Sequence, residues 1–199
     1  MRLRRKQVIP ERHTEFSPLL FDVLFGLLIF LAVNALFDVR GVQSLFLMLA
    51  SIAVIVHWWL KYKAADETYG LEVGNSTIDL LFGLIEIVLL QSAVMAAARG
   101  EALHAIFYFS LPMLIESVWA LIWRFCGTWQ RTSRERVKYM EQQLESTIFL
   151  NFGAAAAIGA LIANAPLLTA AQLVGGFATI YVLYAVLASY WELVDIRLF

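Results

Sequence analysis

Apolar positions run along the chain in six long blocks separated by short polar intervals. The blocks are Ser17–Phe37, Ser44–Leu60, Ser76–Ala98, Ala102–Trp123, Thr147–Ala163 and Ala170–Leu193. Each approaches the ~20 residues a helix needs to cross a bilayer. A strand reading fails, because the runs are too long and lack a period of two. The pattern predicts an all-α polytopic membrane protein with six transmembrane helices. A basic segment, 1–16, precedes a single membrane domain, 17–199.

Composition sharpens this. The chain has 199 residues, 61% hydrophobic and only 16% charged, with a mean hydropathy of +0.73. A soluble domain of this size cannot hide so much apolar surface, so lipid is its solvent. A secreted disulfide scaffold, a disordered regulator and a soluble enzyme are excluded. Cys126 is the single cysteine, so no internal disulfide forms. The formal net charge of −1 gives no bulk basicity for nucleic acid.

Basic residues set the expected orientation. Arg2, Arg4, Arg5, Lys6 and Arg12 precede the first block; Lys61 and Lys63 follow the second. Arg124, Arg131, Arg134, Arg136 and Lys138 follow the fourth, and Arg197 follows the sixth. Only Arg40 and Arg99 fall on the other side. The positive-inside rule places both termini in the cytoplasm, with a bacterial inner membrane as the expected location. The first block outruns a signal-peptide apolar core and lacks a clear cleavage site, so it reads as retained.

The blocks also repeat. Ser76-Thr-Ile-Asp-Leu-Leu-Phe-Gly83 and Ser146-Thr-Ile-Phe-Leu-Asn-Phe-Gly153 match at six of eight positions without gaps. Asp22, Leu24, Phe25 and Gly26 fit the same frame. The even blocks end alike, at His57-Trp-Trp59, Ser117-Val-Trp119 and Ser189-Tyr-Trp191. The chain therefore reads as three repeated helical hairpins, about 17–60, 76–123 and 147–193. Chance recurrence of Leu, Phe and Gly is the bland alternative, and an interfacial aromatic belt accounts for the Trp equally well. Between the second and third hairpins lies a cytoplasmic loop, 124–146. In it Thr132-Ser-Arg-Glu135 has the form of a capping box, and Val137, Met140 and Leu144 share a helical face. This predicts an interfacial helix on anionic lipid or an extension of the fourth span. Gly153 and Gly159 bracket an Ala-rich stretch, a close-packing seam within or between protomers.

Ionisable residues inside spans are expensive and mark function by default. Here they are Asp22, His57, Asp79, Glu86 and Glu116, with Glu192 near the end of the last span. Asn34, Gln91, Asn151 and Asn164 are the neutral polar company, and His104 lies near the outer end of the fourth span. The acids gather in the cytoplasmic half, and no Lys or Arg lies deep in a span to balance them. Each carboxyl must then be protonated, hydrogen-bonded, hydrated or cation-bound, which suits proton or cation handling. Asp22 and Asp79 are near enough to the interface to be hydrated or to favour a helix N-terminus instead. No metal-spaced cluster, Walker motif or nucleophile elbow is present. His57 and His104 sit near opposite faces, so they do not suit a shared haem. No cofactor, metal or enzymatic activity is expected.

The opening Glu15-Phe-Ser-Pro-Leu-Leu-Phe-Asp-Val-Leu-Phe-Gly26, followed by His57-Trp-Trp59, resembles two families. One is the bacterial low-temperature-requirement A family, whose helices open with Phe-Asp-Leu-x-Phe and pair with Trp-rich helices. The other is the bacterial TMEM175-like potassium channel family, with an Arg-x-x-x-Phe-Ser-Asp opening. Arg12, Phe16 and Ser17 match the latter, with Pro18 where that family has Asp. The resemblance covers the first two spans and implies a cation path. The expected function is a channel or transporter for cations or protons, using Asp22, His57, Asp79, Glu86 and Glu116, in a homo-oligomer. The alternative is a membrane scaffold or assembly subunit that binds another membrane protein.

Overall fold

The computed structural model describes residues 16–39, 41–69, 77–126 and 134–197. These form six helices: α1 (Phe16–Leu36), α2 (Val42–Tyr69), α3 (Thr77–Ala98), α4 (Ala102–Cys126), α5 (Arg134–Ala163) and α6 (Ala170–Arg197). No strand occurs among the described residues. Five helices carry stretches long and apolar enough to cross a membrane, and Leu20–Leu36 is a shorter apolar helix. The protein is an integral membrane protein. In hydrocarbon a backbone must satisfy its own hydrogen bonds, which the α-helix does within one segment.

Each helix buries one face at helical spacing. On α1 it is Phe21, Phe25, Leu28 and Ala32; on α2 it is Leu47, Met48, Ser51, Val54, Ile55 and Trp58. The opposite faces are equally apolar: Val23, Phe30, Phe46, Val88 and Val182 are each about 60% exposed. A helix apolar all round has lipid on one side and protein on the other. α4 is the hub, with 44% of its span buried. It packs most extensively against α5 and α3, and also meets α6 and α2. α1 packs on α2 and α3 at the edge. The largest contact, α4 on α5, thus crosses the boundary between the second and third expected hairpins.

The short connections have local causes. After α3, Gly100 takes a positive φ of 76°. Gly100 N–H donates to Ala97 O at 3.0 Å and Glu101 N–H to Ala96 O at 2.9 Å, the Schellman pair that ends a helix at a left-handed residue. Between α5 and α6, Pro166 sits in a short 3₁₀ turn, Ala165–Leu167. Thr169 then opens α6 with a capping box. Its Oγ1 accepts from Gln172 N–H at 3.3 Å, and Gln172 Oε1 accepts from Thr169 N–H at 2.9 Å.

Two boundaries depart from expectation. α2 runs nine residues past Leu60, to Tyr69. The segment Arg134–Ser146 is the first part of α5, continuous with the fifth span. It is neither a separate interfacial helix nor an extension of the fourth span. Nothing between Glu135 and Phe152 breaks a helix, so propagation carries the rod through the membrane edge. The capping residues Thr132 and Ser133 lie outside the described residues.

The glycines that align in the repeat do not share an environment. A Cβ on Gly83 would lie 2.4 Å from Phe21 Cζ, whereas one on Gly26 or Gly153 would meet nothing within 4 Å. Gly83 is where α3 lets the Phe21 ring approach its backbone. Gly83→Ala is therefore expected to cost about 1–3 kcal/mol through overpacking. Gly26→Ala should be neutral or slightly stabilising. Thermal unfolding of the detergent-purified variants separates the two, and equal midpoints would remove the claim about Gly83.

Candidate functional site

Among the described residues, three polar couplings each tie two different helices together. The first joins α1 to α2. Asp22 Oδ1 accepts from Trp59 Nε1 at 2.9 Å, and Asp22 Oδ2 accepts from Lys63 Nζ at 2.5 Å. The expectation that no cation balances these acids fails here. Lys63 lies past the second apolar block, but α2 continues as a helix and carries Lys63 one turn beyond Trp59, on the same face. Its long stem reaches the carboxylate from the membrane edge. Both side chains are about a third exposed.

The second coupling joins α2 to α6. His57 Nδ1 and the Tyr181 hydroxyl are hydrogen-bonded at 2.5 Å. Tyr181 also meets the His57 ring edge-on at a centroid distance of 5.5 Å, and Tyr184 lies 5.9 Å from that ring. The column continues along α6 through Phe177, 6.0 Å from Tyr181, and across to Phe109 of α4, 5.8 Å from Phe177. His57 thus tops an aromatic column, with a phenol at its Nδ1.

The third coupling joins α4 to α5. Glu116 Oε2 accepts from Asn151 Nδ2 at 2.7 Å. Asn151 is completely buried, while Glu116 is half-buried. Among the described residues, Asn151 Oδ1 has no hydrogen-bond partner. A buried acceptor left open beside a carboxylate leaves a place for a water or an ion. Ser117, next along α4, returns its hydroxyl to Met113 O at 2.9 Å and takes no part.

Of the expected residues, Asp22, His57 and Glu116 therefore hold separate couplings. Glu86 is half-buried on α3, which packs against α4. Asp79 lies in the first turn of α3, but its side chain, like that of Glu192, lies outside the described residues. No group of three His, Cys, Asp or Glu capable of holding a metal occurs among the described residues. Gly153 and Gly159 are exposed, and a Cβ on either would meet nothing within 4 Å, whereas Ala154 and Ala155 of the same stretch are buried in the core. Of the partners of Asp22 and His57, Trp59 stands in the sequence as a hairpin end and Lys63 as an orienting charge, and only Tyr181 carries no sequence signal. No family profile, curated protein or solved structure matches the chain.

The Asp22–Lys63 pair makes a testable unit. Asp22→Asn or Lys63→Met alone is expected to cost about 1 kcal/mol, the partial exposure keeping the figure low. The double substitution should cost less than the two together, because no unpaired charge remains. Melting of the four proteins in detergent reads this directly; strict additivity would mean the pair is not coupled.

Proposed function

We propose that the chain moves protons or small cations across the membrane, as a channel or transporter, with Glu116 and Asn151 at the centre of its path. The observation that carries this reading is the open Asn151 Oδ1 beside the Glu116 carboxylate. Two oxygen acceptors together inside apolar spans suit a hydrated proton or a partly dehydrated cation. Glu86 on the neighbouring helix and the His57–Tyr181 pair supply further proton-exchanging groups. Asp22 is neutralised by Lys63 and serves as a helix tie rather than a step in the path. The families that the first two spans resemble imply the same cation path.

In this reading α1 crosses as well. Its 21 residues span about 30 Å, giving six crossings in three related hairpins. Both termini then lie in the cytoplasm of a bacterial cell. The protein is not an enzyme. In the same reading anionic lipid is the partner of the basic start of α5, from Arg134.

Flux in proteoliposomes tests the proposal. The parent is expected to carry protons or a monovalent cation, Glu116→Gln to lower the rate at least tenfold, and Asp22→Asn to leave it within about twofold. Unchanged flux in Glu116→Gln, with folding intact by gel filtration, would sink it.

One observation favours assembly, whether with further copies or, in the alternative scaffold reading, with another membrane protein. The α5 span is only 17% buried, and its outward face holds Gly153, Ala156, Gly159 and Ala160. Small residues let a second helix approach closely. Gly159→Leu should shift the purified protein to a smaller species by light scattering. An unchanged mass would place the contact elsewhere.

A further inference from the structure

The turn between α3 and α4 shapes a second polar site, remote in character from the couplings above. Here Gly100 reverses the chain over three residues, so Arg99 and Glu101 stand on one rim. An open cleft of about 410 Å³ lies beneath them, lined by Gln91, Arg99, Glu101, His104 and Tyr108 together with Val88 and Met95. Glu101 Oε2 lies 3.3 Å from His104 Nδ1. Arg99 makes no ion pair, and Gln91 no hydrogen bond, among the described residues. Both are exposed. The α3 membrane stretch ends at Ala98, so the cleft sits where hydrocarbon gives way to headgroups. Below the polar rim, Val88 and Met95 are 60% and 48% exposed and run down the same face of α3, two turns apart.

We propose that this cleft binds a phospholipid whose headgroup carries both a phosphate and a primary ammonium, a phosphoethanolamine lipid. The Arg99 guanidinium offers two parallel N–H donors to the phosphate. The Glu101 carboxylate accepts from the ammonium on the far side of the headgroup. Gln91 and Tyr108 supply donors for the remaining phosphate and ester oxygens. Val88 and Met95 carry the first acyl chain down the lipid-facing side of α3. The charges explain the choice of headgroup. A phosphoglycerol lipid brings no cation for Glu101, so its negative charge stands against the carboxylate. A phosphocholine lipid brings a cation without an N–H to donate. Of these three headgroups, the zwitterion with a primary amine satisfies both ends of the rim.

The test is native mass spectrometry of the purified protein with phosphatidylethanolamine, phosphatidylcholine and phosphatidylglycerol of identical acyl chains. Soluble phosphoethanolamine is added as competitor. The ethanolamine lipid is expected to bind about tenfold more tightly than either rival, and Arg99→Ala to remove about tenfold of its affinity. Glu101→Gln should keep lipid binding but level the ethanolamine and glycerol lipids, a change that a purely structural residue would not produce. Arg99→Lys, which keeps the charge and loses the fork, should fall between parent and Arg99→Ala. Equal binding of the three lipids by the parent, or no change in Glu101→Gln, overturns the proposal. Competition by soluble phosphoethanolamine as strong as that of the lipid would overturn it too, assigning the site to a free phosphate compound.

Discussion

A polar side chain within a hydrocarbon layer has no water to fall back on, so its partner must come from another helix. That constraint organises this bundle. Asp22 is answered by Trp59 and Lys63, His57 by Tyr181, and Glu116 by Asn151. Each answer ties two helices, α1 to α2, α2 to α6 and α4 to α5. Burial away from water does not choose between neighbours, because lipid tails are as apolar as Leu. Close fits such as Phe21 on Gly83 and the polar couplings supply that choice together.

The couplings differ in how complete they are, and the difference separates architecture from chemistry. The Asp22 carboxylate has both oxygens occupied, one by an indole and one by an ammonium. The Asn151 amide has its donor occupied and its acceptor open. A closed coupling holds the bundle together, and an open one leaves capacity for something that comes and goes. α4 contributes Glu116 to the open one and is also the most buried span. Ring contacts from Phe109 through Phe177 to Tyr181 join it to α6.

The apolar blocks made the spans legible, since hydrocarbon thickness and helix rise fix their length. The same signal is blind beyond the membrane edge. Lys61–Tyr69 and Arg134–Ser146 are polar, so hydropathy ended the helices where the lipid ends, while helix propensity carried them on. That error hid Lys63, which is near Asp22 only because α2 continues. Depth alone held the clue, because both residues lie about one turn from the same face. The His57–Tyr181 bond, between residues 124 positions apart in the chain, left no local trace. A lone Tyr amid apolar residues is ordinary, and only the packing of α2 on α6 gives it a role. The equivalence of Gly26, Gly83 and Gly153 was visible as letters. Their three different surroundings depend on which helices lie opposite.

The unbroken course of α5 has a mechanical meaning. Thirty residues at helical rise make a rod of about 45 Å, half as long again as the hydrocarbon core. The surplus stands outside the lipid at the Arg134 end, with no joint between it and the span that carries Asn151. A force applied to those outer turns, by a protein, a headgroup or a change of charge, is not absorbed by a flexible loop. The same rigid rod joins those outer turns to Asn151, whose amide holds Glu116, so the helix has its lever arm outside the hydrocarbon and its fulcrum within it.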